Sequence, residues 1–410
     1  RATDDGIQYL RGKVSKVFRQ GDKVMVWASD TLAGRKVELI VAGAAIDLQV
    51  PEDDRVVQGG VAVAVAVDDR HVVVEPPQQP DGESDRQHGH LVERSLLHAA
   101  ARVGDDSAVV LVPGARAVLS TDLLVEGTHF SLGYFRPEEV GGRALSANLS
   151  DLAAMGADPV CYLVALAAPP GTPVATVDAI FRGMATAAGP SGIRLMGGDT
   201  CRGERLTLCL TVVGSVGRGK PVSRAGARPG DLLYVTGSPG WSRLGLALLR
   251  CGRPSRPTGW RREAMRAHLR PESRWREGRA AARSGAVAAM IDVSDGILTD
   301  LSHLLERDGL GAVLAEESFP VSRSFRAASA VLGVDPLVAF LGGGEDYELL
   351  MAVRPARRAT FLRAARSFPS GATRIGAVTK APGIRVRRVD GSWLEGSALP
   401  SGFGHFPPPK

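Results

Sequence analysis

Long apolar runs are missing from this 410-residue sequence: nothing approaches the roughly 18 residues that a membrane-spanning helix needs. The Val/Ala alternation at 61–67 is too short and no signal-peptide pattern is present, so a cytoplasmic protein without a membrane partner is expected. The chain opens on Arg1 instead of methionine, and the natural N-terminus is expected to lie upstream. Cysteine is sparse as well. Cys161, Cys201, Cys209 and Cys251 form no CxxC pair and no metal-ligand spacing, which leaves buried free thiols in a reducing compartment as the expectation. Aromatic residues make up only 5% of the chain, against 49 glycines and 26 prolines, which favours Ala/Val/Leu packing between many turns. Neither a GxxxxGK[ST] loop nor the HRD and DFG signatures of protein kinases occur, so the common nucleotide-binding architectures are not expected.

What charge excess exists is concentrated. The net charge is +6, and eleven arginines fall between Arg250 and Arg283, together with Trp260 and Trp275. A basic patch can attract nucleic acid or anionic substrates, but no base-stacking or groove-reading motif accompanies this one. A solvated helical face with an Arg-rich loop is the simpler expectation, with no nucleic-acid partner.

The length implies two or three domains. Residues 1–75 read as a small β-rich module, with strands at 12–18, 23–28, 35–41, 60–67 and 71–75 and no chemical motif. Residues 76–90 (PPQQPDGESDRQHGH) are polar and Pro-rich, as in a linker, and His88 and His90 there are expected to be solvated. From residue 91 the texture becomes α/β (α+β). Helices are expected at 91–101, 137–155, 174–187, 244–249 and 298–308, and strands at 109–111, 117–121, 160–167, 206–216, 232–236, 312–315 and 347–353. Two halves follow, 91–223 and 224–410, with the turn-rich 224–231 at the boundary.

Carboxylates beside glycines carry the chemistry. Gly104-Asp105-Asp106, Ser120-Thr121-Asp122, Asn148-Leu149-Ser150-Asp151, Gly197-Gly198-Asp199-Thr200, Asp292-Val293-Ser294-Asp295-Gly296 and Gly342-Gly343-Gly344-Glu345-Asp346 are expected in tight turns at strand ends. Glycine lets a backbone approach phosphate closely, and adjacent carboxylates repel unless cations lie between them. Any one alone reads as an Asx-turn or helix cap, and Ser150-Asp151 as a surface pair within a helix. Six together, with hard oxygen ligands and no His or Cys, point to Mg²⁺-dependent phosphoryl transfer.

The sequence resembles the thiamine-monophosphate kinase family from about residue 91 to the C-terminus. The stretches that carry the resemblance are VGDDSAVV (103–110), STDLLVEGTHF (120–130), ALSANLSDLAAMGADP (144–159), LMGGDTCRG (195–203), SRAGARPGD (223–231), IDVSDGILTDL (291–301) and GGEDYEL (343–349). Looser forms occur across the aminoimidazole ribonucleotide synthetase-like superfamily. The resemblance implies a two-domain fold, an N-terminal domain that pairs across a homodimer, and transfer of the ATP γ-phosphoryl group to thiamine monophosphate.

It also implies roles. Asp106, Ser120, Thr121, Asp122, Asp151, Asp199 and Asp292 would ligate several Mg²⁺ ions, Ser120 through its carbonyl, and Asp295 a further one; Asp151, Asp199 and Asp292 are the expected catalytic set. Gly198, Asp199, Arg224 and Ser294 would contact ATP, with Phe181 near adenine. His129, Glu345 and Phe403 would bind thiamine monophosphate, although Phe403 also reads as an aromatic tail closing a core. One departure stands out: where the family continues its VTG turn with an acidic residue, this chain has Trp241. Another ATP-dependent member of the superfamily with a different small-molecule acceptor, or a non-catalytic nucleotide-binding regulator with the β-rich module as its partner-binding part, are the alternatives. The retained acidic motifs disfavour the regulator.

Overall fold

The computed structural model describes residues 13–20, 23–29, 36–41, 45–47, 64–67, 72–75, 107–112, 115–216 and 220–400. Contacts divide the chain into two units, Arg1–Gly89 and His90–Lys410. The expected linker and the helix at 91–101 lie outside the described residues, as do Asp106 and Phe403.

The first unit holds two three-stranded antiparallel sheets. One has the order β1 (Lys13–Gln20), β2 (Lys23–Ser29), β3 (Lys36–Val41), and the other β4 (Ala45–Asp47), β5 (Ala64–Val67), β6 (Val72–Glu75). β4 has no counterpart in the sequence reading, because three residues are too few for a visible alternation.

The second unit begins with β7 (Ala108–Val112) and β8 (Ala115–Val125), followed by α1 (Pro137–Ala154), β9 (Asp158–Ala168), α2 (Val174–Ala188), β10 (Arg194–Arg202) and β11 (Thr207–Ser215). These strands form a five-stranded sheet of order β10-β9-β11-β8-β7, antiparallel except for the β10–β9 pair. α1 starts where Pro137 supplies a preset φ and Glu139 accepts the Arg136 N–H at 2.9 Å. It covers the inner sheet face with Val140, Ala144, Leu145, Leu149 and Leu152, all buried. α1 and α2 cross backbone to backbone: a Cβ on Gly141 would run into the Ile180 carbonyl, and one on Gly183 into the Glu138 carbonyl.

The remainder runs β12 (Leu232–Thr236), α3 (Trp241–Arg250), α4 (Trp260–Leu269), α5 (Trp275–Ser284), β13 (Val287–Val293), α6 (Ile297–Glu306), β14 (Gly311–Ala315), α7 (Arg323–Leu332), α8 (Pro336–Gly342), β15 (Glu348–Val353), α9 (Arg358–Ala365), β16 (Ala372–Thr379), β17 (Gly383–Arg387) and β18 (Trp393–Glu395). Its sheet has the order β13-β15-β12-β16-β14-β17-β18, with β14 and β17 the one parallel pair. β15 is buried along its whole length, which explains its unbroken apolar run. Among the described residues no single helix is long and apolar enough to cross a membrane, and the bent pair α7–α8 buries Phe325, Ala328, Ala339 and Phe340.

Several expectations change here. Three carboxylate motifs expected in turns lie inside regular elements: Ser120-Thr121-Asp122 within β8, Asn148–Asp151 within α1, and Gly197–Thr200 within β10. Ser150 is fully buried, not part of a surface pair. The Arg-rich stretch runs from the end of α3 through α4, α5 and the loops before them, and much of its charge is paired. Arg253 and Arg270 meet Glu139, Arg279 and Arg283 meet Asp158, and Arg274 meets Glu348. None of the four cysteines is fully buried, because β9 and β11 turn Cys161 and Cys209 away from the α1 side.

Candidate functional site

Between the two halves of the second unit lies a cavity of about 590 Å³. Ser120, Thr121, Asp122, His129, Asp151, Arg224, Asp292, Ser294, Asp295 and Glu345 line it, together with Arg143 and Tyr347. Arg224 comes from the segment between β11 and β12, and four elements bring the others there.

β8 supplies the first group. Alternation along the strand sends Ser120 and Asp122 to the side covered by α1, and the Ser120 hydroxyl donates to Asp151 Oδ2. Burial raises the pKa of Asp122 above its usual 3.8, the signature of a carboxylate whose ionisation is not fully compensated by protein groups. Thr121 faces the other way. Its hydroxyl donates to the Leu210 carbonyl (3.0 Å) and meets Thr211 Oγ1 (3.1 Å). Beyond the strand, the turn at 127–129 brings His129 back so that the Val125 N–H donates to Nδ1 at 3.0 Å. An accepting Nδ1 places the ring proton on Nε2.

α1 supplies the second group. Arg143, Ala147 and Asp151 recur every four residues, so one helical face delivers all three to the cavity. The adjacent Ser150 donates to Asp292 Oδ2 at 2.7 Å, which ties the helix to the end of β13. Asp292 is 4% exposed.

The turn after β13 supplies the third. Asp300, in the first turn of α6, accepts the N–H groups of Asp295 and Gly296 at 3.1 Å each, fixing Ser294-Asp295-Gly296 against the helix N-terminus. The loop before β15 supplies the fourth. Glu345 and Tyr347 adopt φ of 63° and 54°, a left-handed conformation unusual for residues with side chains. The loop is clamped there: Glu345 N–H donates to Ser294 O (2.6 Å), and Tyr347 N–H to Val293 O (2.9 Å). Between them, Asp346 accepts from Gly240 N–H (2.6 Å) and Ser242 N–H (3.0 Å). Burial pushes Asp346 up to about 8 in spite of those two bonds, with Glu348 and Glu345 adding to the rise.

That arrangement also accounts for Trp241. Its indole is buried against Phe325 at 5.0 Å, edge to face, with Leu244, Ala264, Ala328 and Ala339. Asp346 occupies the N-terminus of α3, where a carboxylate from position 241 would otherwise compete.

Not every candidate joins the cavity. Gly198 and Asp199 sit on β10, the far edge of the five-stranded sheet, with Asp199 exposed. Asp199 pairs through Ala165 and Cys209 to Leu123, and so lies on the opposite sheet face from Asp122, three strands or roughly 14 Å away. Phe181 lies on α2, packed against the core under the sheet. Arg143, Asp300 and Tyr347 had no role in the sequence reading, and Ser150 and Asp346 appeared there only as members of the carboxylate motifs. Only Arg143 had a visible signal, its four-residue spacing from Ala147 and Asp151.

The donor set suits Mg²⁺. It is carboxylate and hydroxyl oxygen, yet among the described residues no group of three His, Cys, Asp or Glu closes around a single ion. Mg²⁺ tolerates that, since it commonly takes one or two carboxylates and completes its shell with water and substrate phosphate.

Comparison with known proteins gives the same direction. The family described as AIR synthase related protein, N-terminal domain, matches residues 104–216, and its C-terminal domain counterpart matches 228–389. Thiamine-monophosphate kinase of Mycobacterium tuberculosis is 37% identical over 303 residues, covering 73% of this chain and 85% of that protein. The Synechococcus elongatus enzyme of the same name is 35% identical over 336 residues, 79% of this chain and 99% of its own. Among solved structures, AaThiL complexed with AMPPCP and TMP superposes with a TM-score of 0.66 at 31% identity, covering 78% of this chain and 97% of its own. The chain belongs to the thiamine-monophosphate kinase family.

Proposed function

We propose that this kinase transfers the γ-phosphoryl group of ATP directly to the phosphate of thiamine monophosphate, giving thiamine diphosphate without a phospho-enzyme. The observation that carries the mechanism is the convergence of Asp122, Asp151, Asp292 and Asp295 with Arg224 and Ser294 on one wall-to-wall cavity. Asp122, Asp151, Asp292 and Asp295, with Ser120, would hold magnesium, and Thr121 would do so only through its backbone oxygen because its hydroxyl faces away; Asp106 joins the set by its place in the motif. Bound there, Mg²⁺ neutralises the phosphates of two polyanions that must meet. Arg224 forks onto ATP phosphate oxygens, and Ser294 donates to them from the turn that Asp300 fixes. His129 presents its Nε2–H to the acceptor, and Glu345 faces the cationic ring system, to which Phe403 is assigned by its place in the sequence alone. The attacking oxygen is already ionised, so no residue need serve as a strong base.

A homodimer belongs to the same reading. The sheet face opposite α1 exposes Leu123 (52%) and Leu163 (43%) on the same side as Asp199, and the edge strand β10 leaves Leu195 and Met196 exposed beside them. A second copy seated on that face buries it and carries Gly198 and Asp199 toward the partner's phosphates, with adenine toward Phe181. A cytoplasmic location fits such chemistry.

Incubation with ATP, Mg²⁺ and thiamine monophosphate is expected to yield thiamine diphosphate and ADP in equal amounts. Asp151→Asn and Asp292→Asn are expected to abolish turnover with the far-UV spectrum unchanged. Near-normal turnover in either variant would remove that carboxylate from the mechanism.

A further inference from the structure

We infer that Arg143 is a positioning residue for the acceptor, acting through Glu345. This rests on the reading that Glu345 faces thiamine monophosphate.

Among the described residues Arg143 is the largest fully buried side chain, 1% exposed, and it lines the cavity. One guanidinium nitrogen, Nη2, pairs with Glu345 Oε1, and the other, Nη1, donates to the His268 carbonyl. Its plane lies 5.6 Å from the Phe135 ring centre and 5.9 Å from that of Tyr347. Burial opposes the charge, but Glu345 and the neighbouring tyrosines hold it, and the pKa is raised. The ion pair crosses between the halves: Arg143 comes from α1, Glu345 and His268 from the other side of the cavity.

Glu345 cannot choose its own direction. Its backbone is in the left-handed region and its N–H is spent on Ser294. Arg143 fixes one carboxylate oxygen. The other, Oε2, is 3.7 Å from His268 Nδ1, beyond hydrogen-bond distance, and that nitrogen already meets Ser242 Oγ at 3.1 Å. The result is a carboxylate with a frozen rotamer and one oxygen left for the acceptor. A side chain ordered before binding loses little entropy on binding, so affinity for the acceptor is where the device acts. A lysine keeps the charge but cannot reach Glu345 and the His268 carbonyl with two diverging donors.

Four forms of the full chain test this: Arg143→Met, Arg143→Lys, Glu345→Gln and the Arg143→Met/Glu345→Gln double variant. KM is measured for thiamine monophosphate at saturating ATP, and for ATP at saturating thiamine monophosphate. Arg143→Met is expected to raise the thiamine monophosphate KM about tenfold or more, with the ATP KM within about twofold of normal. Arg143→Lys is expected to fall between. The double variant should be no worse than Glu345→Gln alone. Equal rises in both KM values, or multiplying effects in the double variant, would mark Arg143 as merely structural. If Arg143→Met does not fold, Arg143→Lys decides: an unchanged thiamine monophosphate KM overturns the inference. If Glu345→Gln itself leaves that KM unchanged, the Glu345 assignment fails and this inference with it, whereas a rise in Glu345→Gln alone sinks only the role of Arg143.

Discussion

Replacing Trp241 by aspartate would restore the acidic residue that the family carries after its VTG turn, and the structure predicts that the restoration harms the protein. The indole is 6% exposed and stacks edge to face on Phe325, inside a cluster with Leu244, Ala264, Ala328 and Ala339. Removing a buried tryptophan costs about 3–5 kcal/mol in transfer and cavity terms. The new carboxylate gains little from the N-terminus of α3, because Asp346 already accepts the Gly240 and Ser242 N–H groups there. A carboxylate left among Phe325 and the surrounding aliphatic side chains without a donor adds roughly 1 kcal/mol or more. The sum, about 4–6 kcal/mol, corresponds to a loss of roughly 10–20 °C in Tm at 2–4 °C per kcal/mol. Trp241→Phe keeps most of the packing and should cost about 1–2 kcal/mol. Thermal denaturation followed by circular dichroism, with turnover measured on the same samples, reads both quantities. A Trp241→Asp protein with unchanged Tm and equal or faster turnover would refute the reasoning, since it would mean that position 241 serves phosphate and not the core.

Other perturbations follow from the same contacts. Ser150→Ala removes the 2.7 Å donor to buried Asp292 and should lower stability by about 1–3 kcal/mol in urea titration; no loss would mean that Asp292 is satisfied elsewhere. Asp346 keeps its proton in the folded state up to about 8 whereas the unfolded chain releases it near 3.8, so its contribution is full below about pH 4 and falls as pH rises to 8. Asp346→Asn should flatten the decline of Tm between pH 5 and pH 8, by up to about 1.4 kcal/mol per pH unit, and an unaltered slope would refute the raised pKa. Leu163→Arg places a charge on the exposed sheet face and should yield a folded, inactive monomer by light scattering; an active monomer would break the link between dimer and site.

The sequence was most readable where local pattern and tertiary role coincide. α1 was legible almost to the residue because its proline start and apolar spacing describe both a helix and a buried helix. Glycine misled. Gly197 and Gly198 suggested a turn, but the chain continues as β10, and Gly198 is needed because a Cβ there would strike the Val164 carbonyl of β9. A glycine placed for close strand contact looks the same in sequence as one placed for a bend. Ser120–Asp122 suggested a strand end, yet β8 runs on to Val125 because β11 pairs with it from Ala117 through Val125. The basic stretch looked solvated since its acidic partners, Glu139 and Asp158, are more than a hundred residues away in the chain.

α1 explains why fold and site are hard to separate in this kinase. Along a single helix, Glu139 pairs with Arg253 and Arg270, Arg143 with Glu345, Ser150 with Asp292, and Asp151 with Ser120. Four of those partners belong to the second half of the unit and one to the five-stranded sheet, so the helix that sets the distance between the halves also sets the width of the cavity. These four polar residues are costly to bury, and each has a partner on another element. A substitution on this face therefore moves walls as well as ligands. Loss of activity alone cannot separate the two, and a KM that changes for one substrate and not the other can, because a shifted wall disturbs both ends of the cavity while a lost contact disturbs one.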